Sequence, residues 1–265
     1  MGSAFVYSLC SSSRGNASYV GTMERGVLID AGLSLRQFKR QMAFAGIPLE
    51  AVEAIFVTHE HSDHIQGLAA IAGALAVPVY ASRETIGELL KKDCIPSGGT
   101  VKEIFRRSAE VGGMSIQAFS TPHDSAHSLG FQITLESGKR ACVCTDLGCI
   151  TQEVVSCLEG SSFVLLESNY DEAMLDAGPY PEFLKRRIAS ERGHLSNPDC
   201  ARMLVHLFNG GTTRFLLGHL SEHNNRPDLA YMTALTQLTK TGAELGEDYI
   251  LSVARRQGIG EVITV

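Results

Sequence analysis

The 265-residue chain has no tryptophan, and aromatic residues make up only 7% of it. Its seven cysteines (Cys10, Cys94, Cys142, Cys144, Cys149, Cys157 and Cys200) contain no C-x-x-C pair. An odd count without paired spacing argues against a disulfide framework and reads as reduced thiols of a cytosolic protein. Cys142 and Cys144 share one face of a strand and read as small buried residues. A basic excess is also missing. The formal net charge is -6, which does not suit a sequence-independent coat for nucleic acid, although it leaves room for a local basic groove. No apolar run approaches the ~18–20 residues that cross a bilayer. The first residues, MGSAFVYSLC, lack a basic region followed by an apolar core and a cleavage site. A cytoplasmic protein with no membrane association and no obligate protein partner is expected. Low-complexity tracts, Pro/Ser-rich linkers and solenoid repeats are absent as well.

What remains is ordinary globular composition, 44% hydrophobic and 20% charged, in which short apolar runs alternate with amphipathic ones. AFVYSLC, GVLIDAG, AVEAIFVTH and VPVYAS read as strands. SLRQFKRQMAFAG reads as a helix with Ser34 as N-cap and Gly46 as its stop, SDHIQGLAAIAGAL as a helix from Ser62 or Asp63, and RETIGELLKK as a third. MSIQAFSTPH, SLGFQITLES and KRACVCTD form a β-rich middle. Beyond it come a helix near TQEVVSCLEG, the strand SFVLLESN, and helices in YPEFLKRRIASERG and NPDCARMLVHLFNGG. The strand TRFLLGHLS, a helix from about Arg226 to Thr241, and strands near YILSV and EVITV complete the chain. The pattern predicts one α/β domain over residues 1–265, with two β-rich halves and helices on the outer faces.

The densest chemistry lies in VTHEHSDHIQGL, Val57–Leu68. His59 and His61, two apart on extended backbone, point to one side, and Asp63 and His64 follow where a helix begins. Imidazole and carboxylate donors suit divalent zinc, manganese or iron. A solvated polar turn is the alternative for a lone histidine, but not for four donors in six residues. Glu60 alternates away from the two histidines. Further candidates close later strands: His123 in FSTPHDSAH, Asp146 in VCTDLG and His219 in LLGHLSEHNN. They build one site only if those strand ends converge.

The order H-E-H-S-D-H, His123, Asp146, His219 resembles the metallo-β-lactamase superfamily over nearly the whole chain. The resemblance implies a four-layered αββα sandwich with two metal ions at one edge between the sheets. It places His59, His61 and His123 on one metal, Asp63, His64 and His219 on the other, and Asp146 between them. Asp63 thereby also becomes a candidate catalytic residue. Asp30, in LIDAG, matches an early aspartate that buttresses the histidine loop. Two such cations activate water and stabilise charge on attacking and leaving oxygens.

Ser11–Asn16, Glu167–Asp171, Gly193–Asn197 and His219–Asn225 further resemble the WalJ (YycJ)-like branch of bacterial nucleases. This resemblance implies 5′-to-3′ exonuclease action on DNA, and Tyr170 stands where some members carry His. Candidate substrate contacts are Ser13, Asn16, Tyr170, Asn197, Ser221 and Asn224. The serine-rich Ser11–Asn16 stretch offers amides and hydroxyls to a phosphate, or is an ordinary hairpin turn. His194 either serves a leaving oxygen or a phosphate, or caps the helix near Asn197. His127 and His223 read as surface residues, and His206 as helix interior. Basic clusters at Lys185, Arg186, Arg187 and Arg192, at Lys102, Arg106 and Arg107, and at Arg255 and Arg256 provide a track for a polyanion, or are solvated faces. Tyr170 and Tyr180 are candidates for stacking on bases.

A metal-dependent phosphodiesterase acting on DNA is the leading expectation. A small-molecule hydrolase of the same fold, cutting a cyclic phosphodiester, thioester or lactone, is the alternative. A redox role is disfavoured. Related di-iron oxygen reductases carry a glutamate where this chain has His61, and a flavin domain besides.

Overall fold

The computed structural model describes residues 3–256, 260 and 262–265. The β-branched and aromatic runs pair into two seven-stranded sheets. The first contains β1 (Phe5–Ser12), β2 (Gly15–Gly21), β3 (Gly26–Ile29), β4 (Val52–Phe56), β5 (Val79–Ala81) and β6 (Val101–Glu103), with β14 (Val262–Thr264) on the outer side of β1. The second runs from β7 (Ser108–Val111) through β8 (Met114–Ser120), β9 (Leu129–Thr134), β10 (Arg140–Cys144), β11 (Phe163–Glu167) and β12 (Arg214–Gly218) to β13 (Ile250–Val253).

Period-two alternation divides each strand between two cores. In β4, Ala54 and Phe56 face the second sheet, while Ile55, and Val57 just beyond the strand, face helices. In β10, Ala141 and Val143 take the first role, and Cys142 and Cys144 the second. On the first sheet α1 (Leu35–Phe44), α3 (Leu68–Leu75) and α4 (Arg83–Lys91) supply Phe38, Met42, Leu68, Ile71 and Leu89. On the second, α5 (Gln152–Leu158), α8 (Asn197–Asn209) and α9 (Pro227–Thr239) supply Val154, Leu158, Leu204, Leu207 and Leu238. The result is the expected four-layered αββα sandwich. No helix among the described residues is long and apolar enough to cross a membrane.

Strands β3 to β6 are parallel, as are β10 to β13, and β8 runs the same way as β10 because both are antiparallel to β9. Parallel strands deliver their C-terminal ends to one edge, where α/β proteins build their sites. The residues after β4, β8, β10 and β12 therefore supply the candidate ligands, and Asp30 follows β3.

Several local expectations are met. Ser34 caps α1 in a capping box with Gln37, and Gly46 follows the helix with φ 69°. The helix expected from Ser62 to Leu75 is instead divided into α2 (Ser62–Ile65) and α3. Gly67 sits at the break, where its N–H donates to the Ala31 carbonyl at 2.9 Å. A Cβ there would lie 1.7 Å from the Leu33 carbonyl oxygen. Strands β6 and β7 and the short helix α6 (Glu172–Ala177), which precedes α7 (Glu182–Ile188), carry little periodicity and escape the sequence reading.

The close approach at Gly67 holds α2, and with it Asp63 and His64, against the loop after β3. Gly67→Ala is expected to destabilise the fold by at least about 2 kcal/mol through overpacking. Urea unfolding checks this, and an unchanged midpoint would refute it.

Candidate metal centre

Three site residues leave their strands through left-handed backbone: Asp30 (φ 61°), Asp146 (φ 58°) and His219 (φ 53°). Asp and His are among the few side chains enriched there. The bend sends each side chain across the sheet edge instead of along the strand.

Asp30 forms the floor. Its Oδ1 accepts from the Thr58 amide at 2.8 Å, and the Thr58 hydroxyl reaches Oδ1 at 3.0 Å and Oδ2 at 2.9 Å. Its Oδ2 also receives His64 Nδ1 at 2.8 Å. With the single Thr58 proton directed to Asp30, Thr58 Oγ1 accepts from His59 Nδ1–H at 3.0 Å. His123 Nδ1–H donates to the Gly193 carbonyl at 2.9 Å. His219 Nδ1 meets Glu167 Oε1 at 2.6 Å. In these four histidines Nδ1 is held by the protein, and Nε2 is left as the inward-facing nitrogen, the usual preparation of a metal ligand.

The inward atoms converge. His59, His61 and His123 form one group whose donor atoms all lie within 4.8 Å of one another, and Asp63, His64 and His219 form another. Asp146 belongs with His59 and His64, and also with Glu167, His194 and His219. Its Oδ2 lies 3.2 Å from His64 Nε2, and its Oδ1 lies 3.5 Å from His219 Nδ1 and 3.7 Å from His123 Nε2. His59 Nε2 is buried without a hydrogen-bond partner. Orphaned polar atoms of this kind are costly unless something else engages them. Two facing groups of imidazole and carboxylate donors fit a pair of divalent cations.

Electrostatics agree. Burial opposes ionisation of Asp146, but His219 and His64 outweigh it and hold its carboxyl well below the usual carboxylate range. Burial likewise opposes ionisation of Asp63, and His64 and His219 again prevail. Burial would lower His219, yet Asp146, Asp63 and Glu167 push it up to about 10. His64 is raised well above its ordinary value against the effect of burial, by Asp146, Asp30 and Asp63. His59 is held well below its ordinary value by burial and by His64, and burial lowers His123.

All seven candidate ligands and Asp30 are thus brought together, and His194 joins them. His194 Nδ1 lies 2.9 Å from Glu167 Oε1, and the ring is partly open to solvent. Asn16 also reaches in, its Nδ2 lying 3.2 Å from Asp63 Oδ2 and 3.1 Å from His64 Nε2. Ser13 is exposed at the turn between β1 and β2. Tyr170, Asn197, Ser221 and Asn224 are placed differently from the substrate contacts expected of them. All four are buried, at 7%, 2%, 8% and 1% exposure. The Asn197 side chain is occupied by Ser168 and Asn225, the Tyr170 carbonyl accepts from the Asn197 amide, and Ser221 Oγ accepts from the Asn224 amide. These residues knit together the loops that carry His194 and His219.

Two contributors escaped the sequence reading. Glu167, fully buried at the end of β11, touches His194 and His219 and accepts the amides of Leu147 and Leu195 at 3.1 and 3.0 Å. Burial works against its ionisation, yet His194 and His219 hold it down to about 2. Its signal was the strand-end position shared with Asp146 and His219. Thr58, the other, sits just before His59. Among the basic clusters, Arg192 donates to the His123 carbonyl at 3.2 and 2.9 Å, and Arg187 pairs with Asp124, which faces His123 Nε2 at 3.4 Å. Lys102 instead meets the Tyr80 hydroxyl, and Arg186 pairs with Glu182.

A sandwich of this build, with such a donor cluster at its sheet edge, is a metal-dependent hydrolase. Residues 25–220 match the family model of the beta-lactamase superfamily domain, and the chain belongs to that superfamily. It is 32% identical over 249 residues to exodeoxyribonuclease WalJ of Streptococcus pneumoniae, covering 92% of each chain. It is 35% identical over 249 residues to exodeoxyribonuclease YycJ of Bacillus anthracis, covering 91% of each. The fold is similar to that of YhfI from Bacillus subtilis, at TM-score 0.72 and 16% identity over 98% of both chains.

Two predictions follow from this geometry. Asp30→Ala removes the acceptor that orients Thr58 and His64, and metal affinity is expected to fall about 10–100-fold. Competition with a chromophoric chelator measures it, with circular dichroism confirming the fold. Because His64 and His219 are raised, both carry protons in the metal-free protein at pH 7, whereas a ligand imidazole must be neutral. Metal binding at pH 7 is then expected to release about two protons, and affinity to rise as pH increases toward the His219 value. Titration calorimetry in buffers of different ionisation enthalpy reads the count, and zero release would contradict the charge assignment.

Proposed function

We propose that the chain works as a single cytoplasmic domain and is a two-metal phosphodiesterase, a 5′-to-3′ exodeoxyribonuclease. The observation that carries this reading is Asp146, whose two carboxylate oxygens face donors of both groups. Full-length similarity to two exodeoxyribonucleases supports DNA as the substrate.

In this reading His59, His61 and His123 would hold one ion and Asp63, His64 and His219 the other, with Asp146 available to either. With imidazole and carboxylate donors and no thiolate, the set suits zinc, manganese or iron. When bound, the ions supply a water acidic enough to ionise near neutral pH and positive charge for the phosphate oxygens. The protein's own groups do the rest. Asp30 and Thr58 fix the rings of His59 and His64. Asn16 restrains the Asp63 carboxylate. Glu167 accepts from His194 Nδ1, which leaves Nε2 to give a proton to the departing oxygen. Arg187 and Arg192, beside His123, attract the polyanion to the mouth. Asp63 contributes charge balance, so the loaded centre retains positive potential toward a phosphodiester.

The test is degradation of end-labelled single- and double-stranded DNA by the apo-protein supplied with Mn²⁺, Zn²⁺ or Fe²⁺. Shortening from the 5′ end is expected, with loss to background in His61→Ala and Asp146→Ala. Intact DNA in the presence of confirmed metal occupancy would defeat the proposal.

A further inference from the structure

Outside the metal centre, a second set of side chains stands in the order nucleophile, imidazole, acid. Ser120 Oγ lies 3.0 Å from His127 Nε2, and His127 Nδ1 lies 3.2 Å from Glu84 Oε2. Both distances fall within the hydrogen-bond reach of a serine nucleophile, its base and the group that orients the base. Ser120 closes β8, His127 stands on the returning arm of the loop before β9, and Glu84 is in the first turn of α4.

Strand register brings the first two together. Ser120 pairs with Leu129 across β8 and β9, so His127, two residues before Leu129, is a diagonal neighbour on the same face. Thr121 and Ser128 alternate to the other face, where their hydroxyls bond at 2.8 Å. The loop beyond them carries His123 to the metal centre, and the contact between Ser120 and His127 lies at its base.

The chemistry of the partners assigns the protons. A carboxylate only accepts, so His127 Nδ1 carries the hydrogen and donates it to Glu84. In the neutral ring the lone pair is then at Nε2, and the Ser120 hydroxyl donates to it. This is the tautomer that a base needs in order to take a proton from serine. Glu84 is suited to its part, since its own backbone amide at the start of α4, and then His127, hold its carboxyl below the ordinary value. His127 is fixed on other sides as well. The hydroxyls of Ser82 and Thr85 lie 3.1 and 3.2 Å from its carbonyl, and Phe105 meets its ring edge-on with centroids 4.5 Å apart. The Ser120 amide donates to Glu153 Oε1 at 3.1 Å. Ser120 and His127 are partly open to solvent, which admits a small molecule, and Phe105 gives it an apolar wall.

We propose that Ser120 is an activated nucleophile that small, activated carboxylic esters acylate, with His127 as its base and Glu84 as the residue that positions His127. Ser120 Oγ forms a bond to the carbonyl carbon, and its proton passes to His127 Nε2. The ester C–O bond then breaks, and the departing alcohol takes that proton from His127. The products are an ester on Ser120, a neutral His127 and a free alcohol. Water, deprotonated by the same imidazole, then hydrolyses the Ser120 ester and restores the hydroxyl. The step uses none of the metal-centre donors, so it is separate from the phosphodiesterase reading.

The experiment treats the metal-loaded full chain with p-nitrophenyl acetate and, separately, with a fluorophosphonate probe. Peptide mass spectrometry then reads the label at each serine. Ser13 and Ser137, both exposed, serve as internal references. Labelling of Ser120 is expected to be at least about 100-fold faster than theirs, the usual worth of a positioned base. His127→Gln should remove that advantage. Glu84→Ala should slow labelling about 10-fold, as the loss of one charge-assisted hydrogen bond would do. A chelator added to the loaded protein should leave the Ser120 label unchanged. Thermal melting confirms that the variants are folded, and the comparison of serines within the unaltered chain decides the matter even if His127→Gln is not. Ser120 labelled no faster than Ser137, labelling untouched by Glu84→Ala and His127→Gln, or a label that vanishes with chelation would overturn the proposal. The three residues would then be only a brace for the loop that bears His123.

Discussion

A carboxylate with almost no access to water must direct its charge at protein donors, and Asp30 directs its charge at the backbone and hydroxyl of Thr58 and at His64. From that anchor the rest of the centre follows. Thr58, with its proton committed, accepts from His59, so two histidines from one loop have their outer nitrogens assigned by one aspartate. On the opposite sheet Glu167 does the corresponding work for His219 and His194. The two halves of the centre are each built around a buried acid, and they meet at Asp146.

This arrangement also explains how so much charge is tolerated in the interior. Asp30, Asp146 and Glu167 each face at least one imidazole, and His64 and His219 are both raised. Protons balance the carboxylates where cations would otherwise do so. Arg192 and Arg187 extend the same logic outward, tying the segment after α7 to the loop that bears His123.

Much of this was legible in the residues. Strand ends marked by His59, His123, Asp146 and His219 announced themselves because apolar runs stop abruptly at ionisable groups. Their convergence followed from α/β topology and was not visible in any one segment. Glu167 was less conspicuous because a lone glutamate after VLL carries no spacing signal, and only the parallel register of β11 between β10 and β12 gives it meaning. The left-handed exits at Asp30, Asp146 and His219 leave no mark in composition. Gly67 broke a helix that periodicity alone would continue, because the obstacle is a carbonyl from another loop. Tyr170, Asn197, Ser221 and Asn224 belong to motifs that looked like contact surfaces. Burial shows that such motifs can instead encode the mutual fit of three loops.

The donors of the candidate metal centre come from both sheets and from distant parts of the chain. Asp63 and His219, which face each other, are separated by 156 residues in sequence. During synthesis β1 to β6 and the histidine loop between them emerge early, but the counterparts from β10, β11 and β12 come much later. Long-range closure of this kind is slow compared with local structure formation. The donor cluster is therefore among the last features that the growing polypeptide completes, because it closes only once the second sheet has docked on the first.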